Sequence, residues 1–279
     1  MTGASGAAAR RTAREAGTTP GGTPYALHGA GEPVVLVAGA GGTGRIWEHH
    51  TVPALTAAGR RVVTFDHKAA HGAELAATVR ELLISLRLTP CPVVGHSLGA
   101  LAVQELLLTD PELVAGAVLV ATRGRPDPVG DALTRAETAC ARAGVRLPPE
   151  YEASVRLVQN LSPRTLADEQ AVQEWLDVFE LAALTGDRAA RPPARPVRNR
   201  LAELARVTTP LLVVGFADDV LAPAPLGREV AGAVPGARYA EVADAGHLGF
   251  LERPDAFHTL LLDFIASLPP TDPGALRVP

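Results

Sequence analysis

The 279-residue sequence predicts an α/β protein with a mostly parallel central sheet flanked by helices and an inserted helical block. Three observations predict it. Short apolar runs rich in Val and Leu alternate with segments carrying apolar residues at helical spacing, the pattern of parallel strands joined by crossover helices. One of those runs ends in Gly95-His96-Ser97-Leu98-Gly99, a tight strand-to-helix junction. The alternation then stops for about eighty residues, where strand signals vanish and only helical patterns remain.

Residues 1–22 are Ala, Gly, Thr and Arg without apolar periodicity and read as a disordered tail, with order starting near Tyr25. Strands are expected at Val34–Ala38, Arg61–Asp66, Pro92–Ser97, Ala115–Arg123, Pro210–Asp219 and Tyr239–Val242. Their continuous apolar character suits strands buried on both faces. Helices are expected at Ile46–Ala58, Ala73–Leu86 and Leu98–Leu108, each punctuated by Gly, Pro or Asp. The core thus comprises 23–126 and 207–279, and 127–206 is a helical insertion in which the proline-rich stretch 191–196 joins two pieces.

The composition narrows the function. With 47% hydrophobic and 20% charged residues the chain can bury a sizeable core. The net charge is −4 and the 26 basic residues are scattered, so no footprint for nucleic acid is present. No apolar run reaches the roughly 18 residues of a membrane span, and no apolar segment follows Arg10 and Arg11, so a cytoplasmic monomer or homodimer without a membrane partner is expected. Cys91 and Cys140 have no metal-like spacing and read as small apolar residues; neither metal nor cofactor is expected.

The chemistry-bearing motif is the G-x-S-x-G at 95–99. A serine there stands on a bend so tight that small flanking residues are required, and the helix beginning beyond it aims its N–H groups at any oxyanion formed. The stretch GHSLGALAVQELLLTDPELVAGAVLVAT resembles the nucleophile-elbow region of α/β-hydrolase-fold enzymes. AGAGGTGRIWEHHTVPALTAAGRRVVTFD is similar to their first catalytic loop, and the segment from Thr208 to Phe257 to their acid-to-histidine stretch. Together these cover about 25–122 and 207–268, in the order Ser, acid, His.

The resemblance implies Ser97 as nucleophile, His247 in DAGHLGF as base, and an acid at Asp219 or Asp218. A G-x-x-D count from the strand glycine picks Asp218. A D-x-x-x-P count ending at Pro223, and a family-like separation of about 28 residues from the histidine, favour Asp219; Asp127 is a distant third. Backbone N–H groups of Ala40 and Leu98 would form the oxyanion hole, with Gly39 and Gly41 letting the 39–44 loop approach substrate. That loop lacks the endings of a phosphate cradle. His96 reads as a packing residue, and His28, His49, His50 and His258 as structural or solvent-facing.

Two departures from the family stand out. Ala38-Gly39 replaces its common His-Gly pair, and FDHKAAHGAELAATV runs almost directly from strand to helix, which brings His67, Lys68 and His71 near the rim. They read as caps of a shortened loop, with substrate binding by His67 as the alternative. The insertion should fold as a cap with an aliphatic lining; Trp47 and Trp175 are candidate rim aromatics, with packing the favoured reading of Trp175. The resemblance implies hydrolysis of a small ester, thioester or lactone, acting on a small molecule of aliphatic character. Alternatives are elimination of a carboxylic acid or acyl transfer in natural-product biosynthesis, or a non-catalytic ligand-binding protein.

Overall fold

The computed structural model describes residues 14–41, 43–145, 147–185 and 197–269. Its strands are β1 (Arg14–Thr18), β2 (Pro24–His28), β3 (Glu32–Val37), β4 (Arg60–Phe65), β5 (Cys91–His96), β6 (Val114–Val120), β7 (Leu211–Phe216) and β8 (Arg238–Val242). They form one sheet in the order β1-β2-β4-β3-β5-β6-β7-β8. The β1–β2 and β2–β4 pairs are antiparallel and every other pair is parallel. The helices are α1 (Thr51–Ala57), α2 (Gly72–Ser85), α3 (Leu98–Thr109), α4 (Pro128–Arg142), α5 (Pro149–Asn160), α6 (Pro163–Leu166), α7 (Glu169–Thr185), α8 (Leu201–Leu204), α9 (Ala224–Ala233), α10 (Gly249–Glu252) and α11 (Pro254–Ser267).

The period-2 geometry of a strand sends successive side chains to opposite faces, and the apolar runs use both. Val35, Val37, Val93 and Val213 face a layer containing Leu75, Val79 and Leu82 of α2 and Val103 and Leu106 of α3. Val34, Leu36, Val94, Val214 and Phe216 face the other layer, with Leu55 of α1 and Phe257, Leu261 and Phe264 of α11. Each fully buried Val, Leu or Phe contributes about 1.5–3 kcal/mol of apolar transfer. This two-sided burial is why the runs are continuously apolar rather than alternating.

Two expectations are corrected. Residues 14–18, expected to be tail, form β1 and pair with β2, so order begins before Tyr25; residues 1–13 lie outside those described. The single helix expected over Ile46–Ala58 is a 3-10 turn at Gly44–Trp47 followed by α1. Helices α4 to α8 connect β6 to β7, but α8 packs on the core: Leu204 is fully buried beside Val103, Leu106 and Val230. The proline-rich joint at 191–196 lies outside the described residues. Cys91 is buried as expected, whereas Cys140 is exposed on α4. No described helix is long and apolar enough to cross a membrane.

Candidate active site

The parallel strands all end at one edge, so the loops after β3, β5, β6, β7 and β8 converge there, as ligand-binding loops do in open α/β sheets. The loop after β5 is a single residue. Ser97 takes φ 54 and ψ −112, a left-handed conformation that side chains avoid, and α3 begins at the next residue. Its neighbours explain how the bend closes: a Cβ on Gly95 would overlap the Gly99 carbonyl, and one on Gly99 would overlap that of Val37. The strain leaves the Ser97 side chain half-buried at the floor of a cavity rather than packed in the sheet.

The loop after β8 brings His247 to the same point. Its Nε2 lies 3.0 Å from Ser97 Oγ, and its Nδ1 lies 2.8 Å from Asp219 Oδ2. Asp219 is 4% exposed and its other oxygen accepts the N–H groups of Leu221 and Ala222, each at 2.8 Å. Burial alone would raise this carboxyl. The charge and hydrogen bond of the His247 ring, with the two backbone donors, outweigh burial and hold the carboxyl below its ordinary value. Of the two adjacent aspartates it is therefore Asp219 that meets the histidine. Asp218 is half-buried and engages the histidine loop through its backbone, its N–H donating to the Ala245 carbonyl at 2.9 Å.

His96, read as a packing residue, also ties the two loops together. Its Nε2 donates to the His247 carbonyl at 2.9 Å, and burial pushes its pKa down to about 3, so the ring stays neutral. Glu252 binds the histidine loop to the inserted helices. One carboxylate oxygen accepts from the N–H and hydroxyl of Ser162, both at 2.8 Å, and the other from the Gly246 N–H at 2.6 Å.

The remaining predicted residues fall into place unevenly. Gly39 abuts the bend, since a Cβ there would stand 3.2 Å from that of Ser97. Ala40 and Gly41 follow it on an exposed loop, Gly41 at φ 116. Leu98 opens α3, so its N–H has no acceptor within that helix. His67 Nε2 lies 3.2 Å from the Ala38 carbonyl, and His71 caps α2 by accepting from Glu74 N–H at 3.3 Å. Asp127 is the cap of α4 and the partner of Arg123.

Trp47 is not a rim aromatic. It is fully buried, 4.5 Å from the Phe250 ring and edge-on to His96, because the 3-10 turn directs it into the core. Trp175 stacks on Phe179 within α7 and does not line the cavity. The cavity beside Ser97 and His247, about 200 Å³, is less aliphatic than expected: Thr122, Arg123, Thr134, Glu137 and Gln159 contribute to its wall with Leu101, Leu133 and Leu221. Sequence reading missed Arg123; a charged residue just past the end of a buried parallel strand was the available signal. Among the described residues, no three His, Cys, Asp or Glu side chains gather to hold a metal.

Comparison with known proteins identifies the family. The model of the alpha/beta hydrolase family matches residues 34–260. A Mycobacterium tuberculosis protein provisionally named non-heme bromoperoxidase BpoC is 45% identical over 255 residues, covering 88% of this chain and 97% of that protein. Its crystal structure superposes with a TM-score of 0.81 at 42% identity, over 89% of this chain and 97% of that one. An Azorhizobium caulinodans protein provisionally named carbamate hydrolase RutD is 29% identical over 88% of this chain and 95% of its own length. The enol-lactonase of Burkholderia xenovorans LB400, 23% identical over 91% of this chain and all of that one, shares the fold with a TM-score of 0.71. The chain belongs to the α/β hydrolase family and is an enzyme of that family.

Proposed function

We propose that the chain is a serine hydrolase that cleaves a small ester, thioester or lactone through an acyl-enzyme. The observation that carries this is the unbroken chain of contacts from Ser97 Oγ to His247 at 3.0 Å and on to Asp219 at 2.8 Å. A serine hydroxyl is a weak nucleophile at neutral pH, and an imidazole in hydrogen-bond reach can take its proton as the Oγ–C bond forms. Asp219 accepts from Nδ1, which keeps Nε2 free to receive that proton and stabilises the imidazolium. The N–H groups of Leu98 and Ala40 receive the oxyanion, helped by the positive end of α3. The imidazolium then protonates the leaving oxygen or sulfur, and water, activated by the same ring, releases the acid.

The helices of residues 127–206 act as a cap over this centre, since α4 and α5 contribute Leu133, Thr134 and Gln159 to the cavity. A space of about 200 Å³ lies below the range of about 300–1,000 Å³ usual for ligand pockets, which favours a short acyl group. The test is labelling with a fluorophosphonate. The parent should react and Ser97→Ala should not; an unreactive parent, or a reactive variant, overturns the assignment. In turnover with isotopically labelled water, hydrolysis places the label in the acid product, whereas elimination or acyl transfer leaves it out.

A further inference from the structure

We propose that Arg123 is a specificity-determining residue that reads a neutral hydrogen-bond-accepting oxygen in the acyl chain, so that the preferred acyl group is short and oxygen-bearing rather than purely aliphatic. This rests on the reading of Ser97 and His247 as the reacting pair. Arg123 lines the same cavity as those two residues. It stands where β6 has just ended, after Ala121 takes φ 51 and turns the chain inward. The turn is fixed from beneath by fully buried Gln104, whose amide donates to Thr122 Oγ1 at 2.8 Å and to the Arg123 carbonyl at 3.2 Å.

The guanidinium is held in place but not saturated. Its Nη1 donates to Asp127 Oδ2 at 2.5 Å and to the Leu221 carbonyl at 3.4 Å. Among the described residues its Nε and Nη2 meet no acceptor, although the side chain is only 18% exposed. The opposite oxygen of Asp127 accepts the N–H groups of Val129 and Gly130 at the start of α4, so the acid cannot swing away without uncapping that helix. Gly130 completes the cradle, because a Cβ there would collide with Arg123 Nη1 and Asp127 Oδ2.

Charge argues for a neutral acceptor. Arg123 is matched by Asp127, Glu137 adds a second carboxylate to the same wall, and Asp219 stands behind His247. An anionic acyl chain would enter a site whose charges already sum to negative, whereas an ether, hydroxyl or carbonyl oxygen takes the free guanidinium donors without that penalty.

The experiment compares p-nitrophenyl esters matched in size: methoxyacetate with butyrate, and 3-methoxypropanoate with pentanoate, each kcat/KM divided by the ester's hydroxide-catalysed rate. The parent should favour the oxygen-bearing member of at least one pair by about tenfold, the worth of one hydrogen bond to a charged donor. Arg123→Met should reduce that preference to within about twofold of unity. Gly130→Ala, which displaces the guanidinium without altering its chemistry, should do the same and guards against a folding defect in the first variant. No preference in the parent, an undiminished preference in both variants, or a larger preference for a p-nitrophenyl glutarate monoester overturns the proposal. Fluorophosphonate labelling of the parent separates this outcome from failure of the catalytic reading, since loss of labelling strikes Ser97 and not the acyl-chain contact.

Discussion

Two adjacent aspartates show how finely the site depends on register. Strand β7 ends at Phe216, and only the second residue of the Asp218-Asp219 pair comes round to meet His247. Asp219→Asn should therefore lower kcat about a thousandfold or more while leaving the fold intact, because the amide presents the wrong partner to Nδ1. Asp218→Asn should stay within a few-fold of the parent; equal losses in the two variants would contradict the geometry. His96 makes a separate, pH-dependent contribution. Its pKa lies near 3 in the folded chain against 6.5 in its ordinary state, so between those values the unfolded chain binds the extra proton. Stability present above pH 6.5 is lost as pH falls through that window. Urea midpoints measured from pH 7 to pH 4 should fall, and more steeply in the parent than in His96→Gln; identical slopes would show that the ring is not kept neutral by burial.

At the scale of elements, a part-buried carboxylate ties the inserted helices to the histidine loop, beside the exposed Arg164–Asp244 pair at 3.3 Å. Glu252, at the end of α10, accepts from both Ser162 between α5 and α6 and Gly246 beside His247. Leu248 N–H adds a bond to the Asn160 carbonyl at 3.1 Å. Glu252→Ala should cost about 2–4 kcal/mol in urea unfolding, since it leaves part-buried donors unpaired, and should lower kcat more than it raises KM. An unchanged midpoint would mean that the contact is incidental. The elements themselves were unequally legible. Buried parallel strands announce themselves as unbroken apolar runs, and β3 to β8 lie close to where those runs stand. Strand β1 does not, because Arg14–Thr18 is almost wholly exposed and pairs across a Gly/Pro-rich turn that reads as tail. Trp47 was misplaced because an aromatic beside a glycine loop carries no sign of which way a one-turn helix will point it.

For the whole molecule, the sheet's contribution is to make distant segments neighbours: Ser97 and His247 are 150 residues apart in sequence and 3.0 Å apart in space. The pairing of Ser97, Asp219 and His247 was legible through the resemblance of three motif-bearing segments to one family, which left Asp218 open beside Asp219. The cavity wall was only partly so, because Leu133, Thr134, Glu137 and Gln159 come from α4 and α5, whose sequences show only helical periodicity. The central claim is that Ser97 and His247 act as one catalytic unit, and groups that do so show losses that do not multiply. The most direct measurement is kcat on a single p-nitrophenyl ester for Ser97→Ala, His247→Ala and the double variant, with folding of each verified by circular dichroism. Each single change should cost about as much as the double one; losses that multiply, or turnover that survives in Ser97→Ala, would contradict the account.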